Sequence, residues 1–397
     1  MNRCHKVMFI LPDFSKSLGV RNKVVSTLNK LASLTDWSIY VGLLGEGDSA
    51  LANEVDSSIE LRFLRRRSVG NRVLRLKPFW GLLFEKEHEA RYFEASEYYD
   101  KIKPDIVFIR ELHGSLAGLK FMKRISSISK VIVEINSDLL SEIEMLKKRD
   151  NSNVWRAIGH KKELRYKPKM LHLASGFVGV APEVLEIYKS RYGITGITET
   201  LITNGVDYNK VKAIESFDIS TSVNCIFLAG AGDSAYKIQR GVESLRKYKG
   251  QLPIRLSIIG MEAENEIEDN YQIIYSKKVS RAELDNFFEN QHFGISTLGL
   301  YQKGISQGST LKVRDYFSKG LPVLLGYDDV DVPANCPYVF RVPNDDSAID
   351  FNEVVSFMME LNKSDNLNQK VRSYFSDKIS MEGKAIALKD FLTTFLN

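Results

Sequence analysis

Apolar residues run without a break from Val7 to Leu11, then recur at Val24, Val25, Leu28 and Leu31, and this alternation of run and spacing repeats along the chain. A short continuous run predicts a strand covered on both faces, and a spacing of three and four predicts a helix packed over it. In the first half the runs predict strands at Lys6–Leu11, Ser38–Leu43, Glu60–Leu64, Pro104–Arg110, Lys130–Glu134 and Gly176–Val180. The helix spacing falls after the first strand, over a very basic region at Lys147–Lys169 and over Pro182–Tyr192. After Leu201–Asp207, whose Asn204-Gly205 pair predicts a turn, the pattern begins again. Strands are predicted at Asn224–Leu228, Ile254–Ile259, Gln272–Tyr275, Phe293–Ser296 and Val323–Leu325, and helices from about Ile238 and over Arg281–Glu289, Ala348–Leu361 and Lys384–Leu396. Strand, loop, helix in succession, twice over, is the signature of an α/β chain with two Rossmann-like halves.

One stretch gathers more signals than any other. Gln307–Leu325 reads as a loop, a helix and a buried strand without a gap. Ser309 suits an N-cap, Gly308 before it permits close approach to the backbone, Gly320 stops the helix, Pro322 prevents its continuation, and Val323–Leu325 is the strand. Leu311, Tyr316 and Phe317 supply the apolar stripe. The free N–H groups and positive dipole end near Ser309, Thr310 and Leu311 favour an anion such as a diphosphate. Asp315, in the second turn, can accept two hydrogen bonds from a ribose diol.

These residues resemble the late motif of the retaining family-4 glycosyltransferases of GT-B architecture. That motif places two Glu residues with seven others between them, then Gly, Leu or Ile, Pro and Val. Gln307 and Asp315 occupy the acidic positions here, followed by Tyr316, Gly320, Leu321, Pro322 and Val323, so both acidic positions depart from the pattern. Leu311, Lys312, Arg314, Asp315 and Tyr316 follow a subset common among bacterial surface-polysaccharide enzymes. The resemblance implies two Rossmann-like domains facing each other across a cleft: an acceptor domain at 1–205, a nucleotide-sugar domain at 206–380, and a C-terminal helix at 381–397 crossing back. It implies transfer of a sugar from a nucleotide-diphosphate sugar to a hydroxyl of a glycan or lipid-linked acceptor, with retention, in capsule, O-antigen or exopolysaccharide assembly. No cofactor and no metal are implied.

Carried over residue by residue, the resemblance gives donor contacts at Gly19, Gly308, Ser309, Thr310, Leu311, Lys312 and Asp315. Arg240 before Gly241, with Lys237 beside it, would neutralise the leaving diphosphate, and Gln307 would meet a sugar hydroxyl. His113, at the end of a strand, could orient the transferred sugar, and Glu134, Asn136, Asp138 or Glu142 could bind or polarise the acceptor hydroxyl. Each has a plainer reading too: a turn glycine, a loop histidine, or an exposed basic residue on a helix. Asp329-Val330-Asp331 looks like a metal-binding Asp-x-Asp, but its position after the late helix and strand reads better as a turn.

Composition narrows the remaining choices. At 397 residues two domains are the default, and 44% hydrophobic with 26% charged residues is ordinary for a soluble globular chain. Three widely spaced cysteines give no disulfide framework and no metal spacing, so a reducing cytoplasm is expected; no signal peptide or membrane-spanning run is evident. The net charge of +5 is too small to argue for nucleic acid, but its distribution matters. Seven Arg or Lys residues lie between Arg62 and Lys77, followed by Phe79, Trp80 and Phe84. Arg62–Phe84 is either a patch that meets an anionic membrane, placing the protein peripherally on the inner face, or a solvated loop leading into a core helix. Two other activities fit the same residues: a sugar-nucleotide epimerase or hydrolase of GT-B fold, and a non-catalytic nucleotide-sugar-binding protein, for which Gln307 is the argument.

Overall fold

A computed structural model describes residues 4–12, 17–45, 49–64, 92–110, 113–138, 140–141, 144, 154–215, 219–229 and 238–396. The chain divides into two compact units, the first comprising Met1–Ile202 with Ala385–Asn397 and the second Thr203–Lys384.

In the first unit the strands are β1 (Lys6–Pro12), β2 (Ser38–Leu44), β3 (Glu60–Phe63), β4 (Ile106–Arg110), β5 (Lys130–Ile135), β6 (Gly176–Gly179) and β7 (Thr198–Leu201). They pair in the order β3-β2-β1-β4-β5-β6-β7, every pair parallel. The order reverses between β1 and β4, so the carboxyl ends of those two strands flank the crevice where α/β sheets bind ligands. Val7 to Leu11 are all buried, as their unbroken apolar run requires when helices cover both faces. One face packs on Val24, Val25, Leu28 and Leu31 of the helix Leu18–Leu34. Leu388, Phe391 and Leu392 join the same cluster, at the three- and four-residue spacing that puts them on one side of the helix Met381–Thr393.

The second unit has β8 (Val223–Leu228), β9 (Ile254–Ile259), β10 (Glu266–Ile267), β11 (Tyr271–Ser276), β12 (Phe293–Ile295), β14 (Val323–Leu325) and β16 (Val339–Arg341), with a separate pair of β13 (Gln307–Gly308) and β15 (Asp328–Asp329). The main sheet runs β10-β11-β9-β8-β12-β14-β16, parallel except where β10 meets β11. Its order reverses between β8 and β12. Those two strands pair through Phe293 with Cys225 and Gly294 with Ile226. Beyond that point the Tyr316 hydroxyl stands between them, donating to Ile295 O at 3.1 Å and accepting from Leu228 N–H at 3.0 Å. Glycine at 294 makes this possible, since a Cβ there would lie 2.3 Å from the Tyr316 ring.

Tyr316 belongs to the late helix, Leu311–Lys319, whose buried side is Val313, Tyr316 and Phe317; Leu311, expected on that stripe, is half-exposed. The helix stops at Gly320, in the left-handed region at φ 86°, where a Cβ would meet Asn368 O at 2.4 Å. Asn368 lies on the helix Leu367–Ile379, which the chain pattern above did not predict and whose Phe375 stacks on Phe317 with ring centroids 3.6 Å apart. The segments at the two limits of this unit run side by side: Val206 N–H donates to Ile379 O and Met381 N–H to Val206 O.

Candidate functional site

The late helix begins one residue later than its sequence suggests. Thr310 is the N-cap, and its hydroxyl is bonded to the Tyr327 hydroxyl at 2.7 Å. Ser309, expected as the cap, instead accepts two hydrogen bonds through Oγ, from Asn204 N–H and from Arg314 Nη2, each at 2.8 Å. The reason is Arg314. Its guanidinium is 1% exposed and sits in a closed set of acceptors: Asn204 O at 3.0 Å, Ser309 Oγ, and the carboxylates of Asp329 and Asp331. Asp331 also takes Lys384 Nζ at 3.0 Å and the Thr203 hydroxyl at 2.9 Å, and Tyr327 donates to Asp329 at 3.0 Å. The Asp-Val-Asp run is therefore the counter-charge of a buried arginine. It belongs to the scaffold that holds the start of the helix against the two limiting segments of the unit.

Around this scaffold lie the residues expected to meet a donor. Asp315 is half-exposed in the second turn. Lys312 is buried, with its ammonium 3.9 Å from the centroid of the Phe227 ring, and burial pushes its pKa down to about 7. Gln307 pairs along β13 with Asp328, and Gly308 is packed so that a Cβ would come within 3.2 Å of Tyr327. Arg240 is differently placed from the expected phosphate clamp. Its side chain is 6% exposed, and its guanidinium donates to Ser347 O at 2.5 Å, Pro343 O at 2.8 Å and Ser347 Oγ at 3.3 Å. It tethers the 343–347 loop, and burial lowers its pKa despite Asp345 nearby. Lys237 lies outside the described residues.

In the first unit Glu134, at the end of β5, accepts from Lys23 Nζ at 2.9 Å and faces Arg110 Nε at 3.7 Å. Burial opposes ionisation of Glu134, but the charges of Lys23 and Arg110 outweigh it and hold the pKa down at about 2. Such a carboxylate stays ionised across the physiological range and is a poor proton acceptor. Asn136 Oδ1 accepts from the same Lys23 Nζ at 3.4 Å. Asp138, proposed above as an acceptor contact, is 1% exposed; it accepts from Ser141 and forms an ion pair with Arg191. Burial and these partners make it a strut. His113 is exposed past the end of β4, and the Gly114 N–H beside it donates to Glu163, which pairs with Lys167 at 3.2 Å in the interior. Gly19 falls within the first turn of Leu18–Leu34, so the glycine expected in the loop is part of the helix. Glu142 and residues 65–91, which include most of the basic and aromatic Arg62–Phe84 stretch, lie outside the described residues.

Sequence reasoning missed Lys23 and Arg110; it named Arg314 only as part of a motif and read Asp329-Val330-Asp331 as a turn, without the pairing between them. For Arg314 a signal existed, a charge set among the apolar positions of a helix; the identity of its partners did not follow from it. Among the described residues no group of three or more His, Cys, Asp or Glu could hold a metal ion, and no helix is long and apolar enough to cross a membrane.

No protein-family model matches the chain, and a search of curated proteins by sequence gives no match. Solved structures do match it along its whole length. A glycosyltransferase from Rickettsia africae ESF-5 is similar over 100% of this chain and 99% of its own, at 15% identity and a TM-score of 0.61. Sucrose-phosphate synthase from Thermosynechococcus elongatus is similar over 99% of both chains, at 12% identity and a TM-score of 0.64. The lipopolysaccharide outer core galactosyltransferase WaaB is similar over 98% of this chain and 99% of its own, at 11% identity and a TM-score of 0.59. At these identities the likeness establishes architecture: two units of parallel sheet and a terminal helix, which is the GT-B fold of glycosyltransferases.

Proposed function

We propose that the chain is a glycosyltransferase that moves a sugar from a nucleotide-diphosphate sugar to a hydroxyl of a glycan or lipid-linked acceptor. The observation that carries this reading is the late helix of the second unit. Its N-terminus opens after Thr310 with a half-exposed carboxylate, Asp315, one turn further on, beside the point where Tyr316 parts β8 from β12. A helix N-terminus suits a diphosphate, and an acidic residue near it suits a ribose diol. The full-length likeness to a galactosyltransferase and a sucrose-phosphate synthase supports the same class of chemistry.

In this reading the protein's task is to bind and neutralise the leaving diphosphate as an oxocarbenium-like centre forms, with the backbone N–H groups after Thr310 and the Lys312 ammonium supplying positive potential. Because Arg240 is committed to Ser347 and Pro343, it acts on the donor through the loop it holds. The reaction is retaining, the setting is surface-polysaccharide assembly, and the protein works in the cytoplasm or on the inner face of the membrane. The anomeric configuration of the product, read by NMR against that of the donor, tests retention; an inverted product would refute it. Cosedimentation with anionic liposomes, parent against the Arg65→Ser, Arg66→Ser, Arg67→Ser variant, tests the membrane patch, and equal binding would remove it.

The decisive experiment is a thermal-shift screen of UDP-, GDP- and dTDP-sugars. The parent gains melting temperature with one base, and Asp315→Ala abolishes that gain while its own melting temperature stays within a few degrees of the parent's, because the residue is half-exposed. With donor in hand, KM rises by about tenfold or more in Asp315→Ala, with a smaller effect on kcat, since ribose bonds are present in ground and transition states alike. An Asp315→Ala variant that binds and turns over donor like the parent would show that the helix is scaffold alone.

A further inference from the structure

The first unit holds hydrogen-bond donors that the protein itself does not use. Arg110 is the last residue of β4, at the strand-order reversal, and its side chain is 11% exposed. A guanidinium carries five N–H donors in a fixed plane. Among the described residues the one partner of Arg110 is Glu134, at 3.7 Å, which is an ion pair beyond hydrogen-bond length. Glu134 is already bonded to Lys23 at 2.9 Å. Asn136, two residues past Glu134, has its Oδ1 on the same lysine, while its buried Nδ2 makes no hydrogen bond of normal geometry and lies near enough to Glu134 to help hold the pKa of that carboxyl down.

The contrast with other arginines of the chain is plain. Arg240 spends its donors on Ser347 and Pro343, and Arg314 spends its own on four acceptors. Around Glu134, Arg110 keeps N–H donors that no described residue accepts, and one buried donor, Asn136 Nδ2, is left over. What complements such a set is a group with several acceptor oxygens and negative charge. A sugar hydroxyl brings a donor with its acceptor and no charge, so it answers only part of the demand.

We propose that Arg110 and Asn136 form an anion-binding subsite that takes a phosphate or diphosphate group carried by the acceptor, with Lys23 and Glu134 as the pair that positions them. This rests on the glycosyltransferase reading above and names the chemical class of its acceptor. Glu134 then sets the spacing of the two cations, and the buried Nδ2 of Asn136 gains an acceptor.

The test is isothermal titration of the full chain with inorganic phosphate, inorganic pyrophosphate and a short prenyl diphosphate. Nucleotide-sugar binding is read separately by thermal shift, because Asp315 lies in the other unit. The parent binds pyrophosphate, and Arg110→Gln weakens that binding by about tenfold to a hundredfold, the size expected for charge-assisted bonds. Asn136→Asp keeps an oxygen for Lys23 and replaces the N–H donors by charge, so it weakens pyrophosphate binding as well and guards against a folding defect specific to Arg110→Gln. Lys161→Gln with Arg165→Gln, on the exposed side of the helix Val154–Leu171, leaves binding unchanged and so separates the subsite from general basic charge. Prenyl diphosphate binding tighter than pyrophosphate supports a lipid-linked acceptor; equal affinity for all three supports a phosphorylated glycan. Pyrophosphate affinity that is the same in the parent, Arg110→Gln and Asn136→Asp overturns the proposal and leaves the donor assignment standing. Arg110-dependent anion binding in a protein that no nucleotide sugar stabilises would strike the functional reading and keep the subsite.

Discussion

Two buried ionic clusters, one in each unit, have nearly the same ingredients and opposite states. In the second unit Arg314 and Lys384 meet Asp329 and Asp331; the charges cancel, and the guanidinium is hydrogen-bonded through all three of its nitrogens. In the first unit Lys23 and Arg110 share Glu134, and Arg110 lacks a hydrogen bond among the described residues. A buried charge costs free energy unless its partners are complete, so a closed cluster can serve as scaffold while an open one waits for a ligand. Function is better sought where the donors exceed the acceptors. That rule points away from the Asp-Val-Asp run, which looks chemical in sequence and is structural in the fold.

The comparison breaks most visibly at Arg314. Arg314→Ala leaves Asp329 and Asp331 facing each other in the interior, and the expected loss is ~3–5 kcal/mol in the unfolding transition of the second unit, followed by chemical denaturation. A loss within ~0.5 kcal/mol, ordinary for a surface substitution, would show that the cluster is open to water.

Glu134→Gln sharpens the other side. The folded-state pKa of Glu134 is about 2 against an ordinary 4.5, so the carboxylate contributes stability that is complete above pH 4.5 and is lost as pH falls towards 2. The parent's stability therefore drops across that acid window, and the variant's drops less. At neutral pH the variant is weaker by roughly 2–3 kcal/mol, because two cations lose their counter-charge. Superimposable acid limbs for the two proteins would show that Glu134 is not held by Lys23 and Arg110 as described.

Lys312 gives the smallest effect and the opposite slope. Its folded pKa of about 7 lies below the ordinary 10.5, so the folded state carries the cost of a buried ammonium below pH 7. Between about pH 7 and 10.5 the folded chain releases that proton while the unfolded chain keeps it, and stability rises with pH. Lys312→Met, which keeps the length and removes the charge, raises stability by about 1–2 kcal/mol at neutral pH and flattens the rise. A parent whose stability is level from pH 7 to 10 would place the ammonium in contact with water or a counter-charge.

Much of the architecture was legible because burial on two faces writes itself into the chain as uninterrupted apolar runs. Val7–Leu11, Ile254–Ile259 and Val323–Leu325 lie in β1, β9 and β14, and the helix Pro182–Tyr192 has the bounds its proline and spacing predict. The short edge strands β7, β10 and β16 carry no such run, since an edge needs cover on fewer sides. The helix Leu367–Ile379 was missed although Leu367, Val371, Phe375 and Ile379 are buried at a spacing of four; a stripe one residue wide among polar neighbours is a weak periodic signal.

The candidate site divides in the same way. Local chemistry near a helix end, the glycine stop at Gly320 and the carboxylate at Asp315 follow from short-range rules, and the sequence by itself determined them, along with the two Rossmann-like halves. Tertiary structure alone decided which side chains face one another. Arg314 finds Asp329 and Asp331 because β14 lies between them and turns the chain back, and Arg110 meets Glu134 because β4 and β5 pair in that register across an intervening helix. It also decided that Ser309 supports Arg314 and Asn204 in place of capping its helix, and that Arg240 holds a loop. Hydrogen bonds between distant residues depend on strand order and register, which are collective properties of the packed sheet, and no local pattern of residues encodes them.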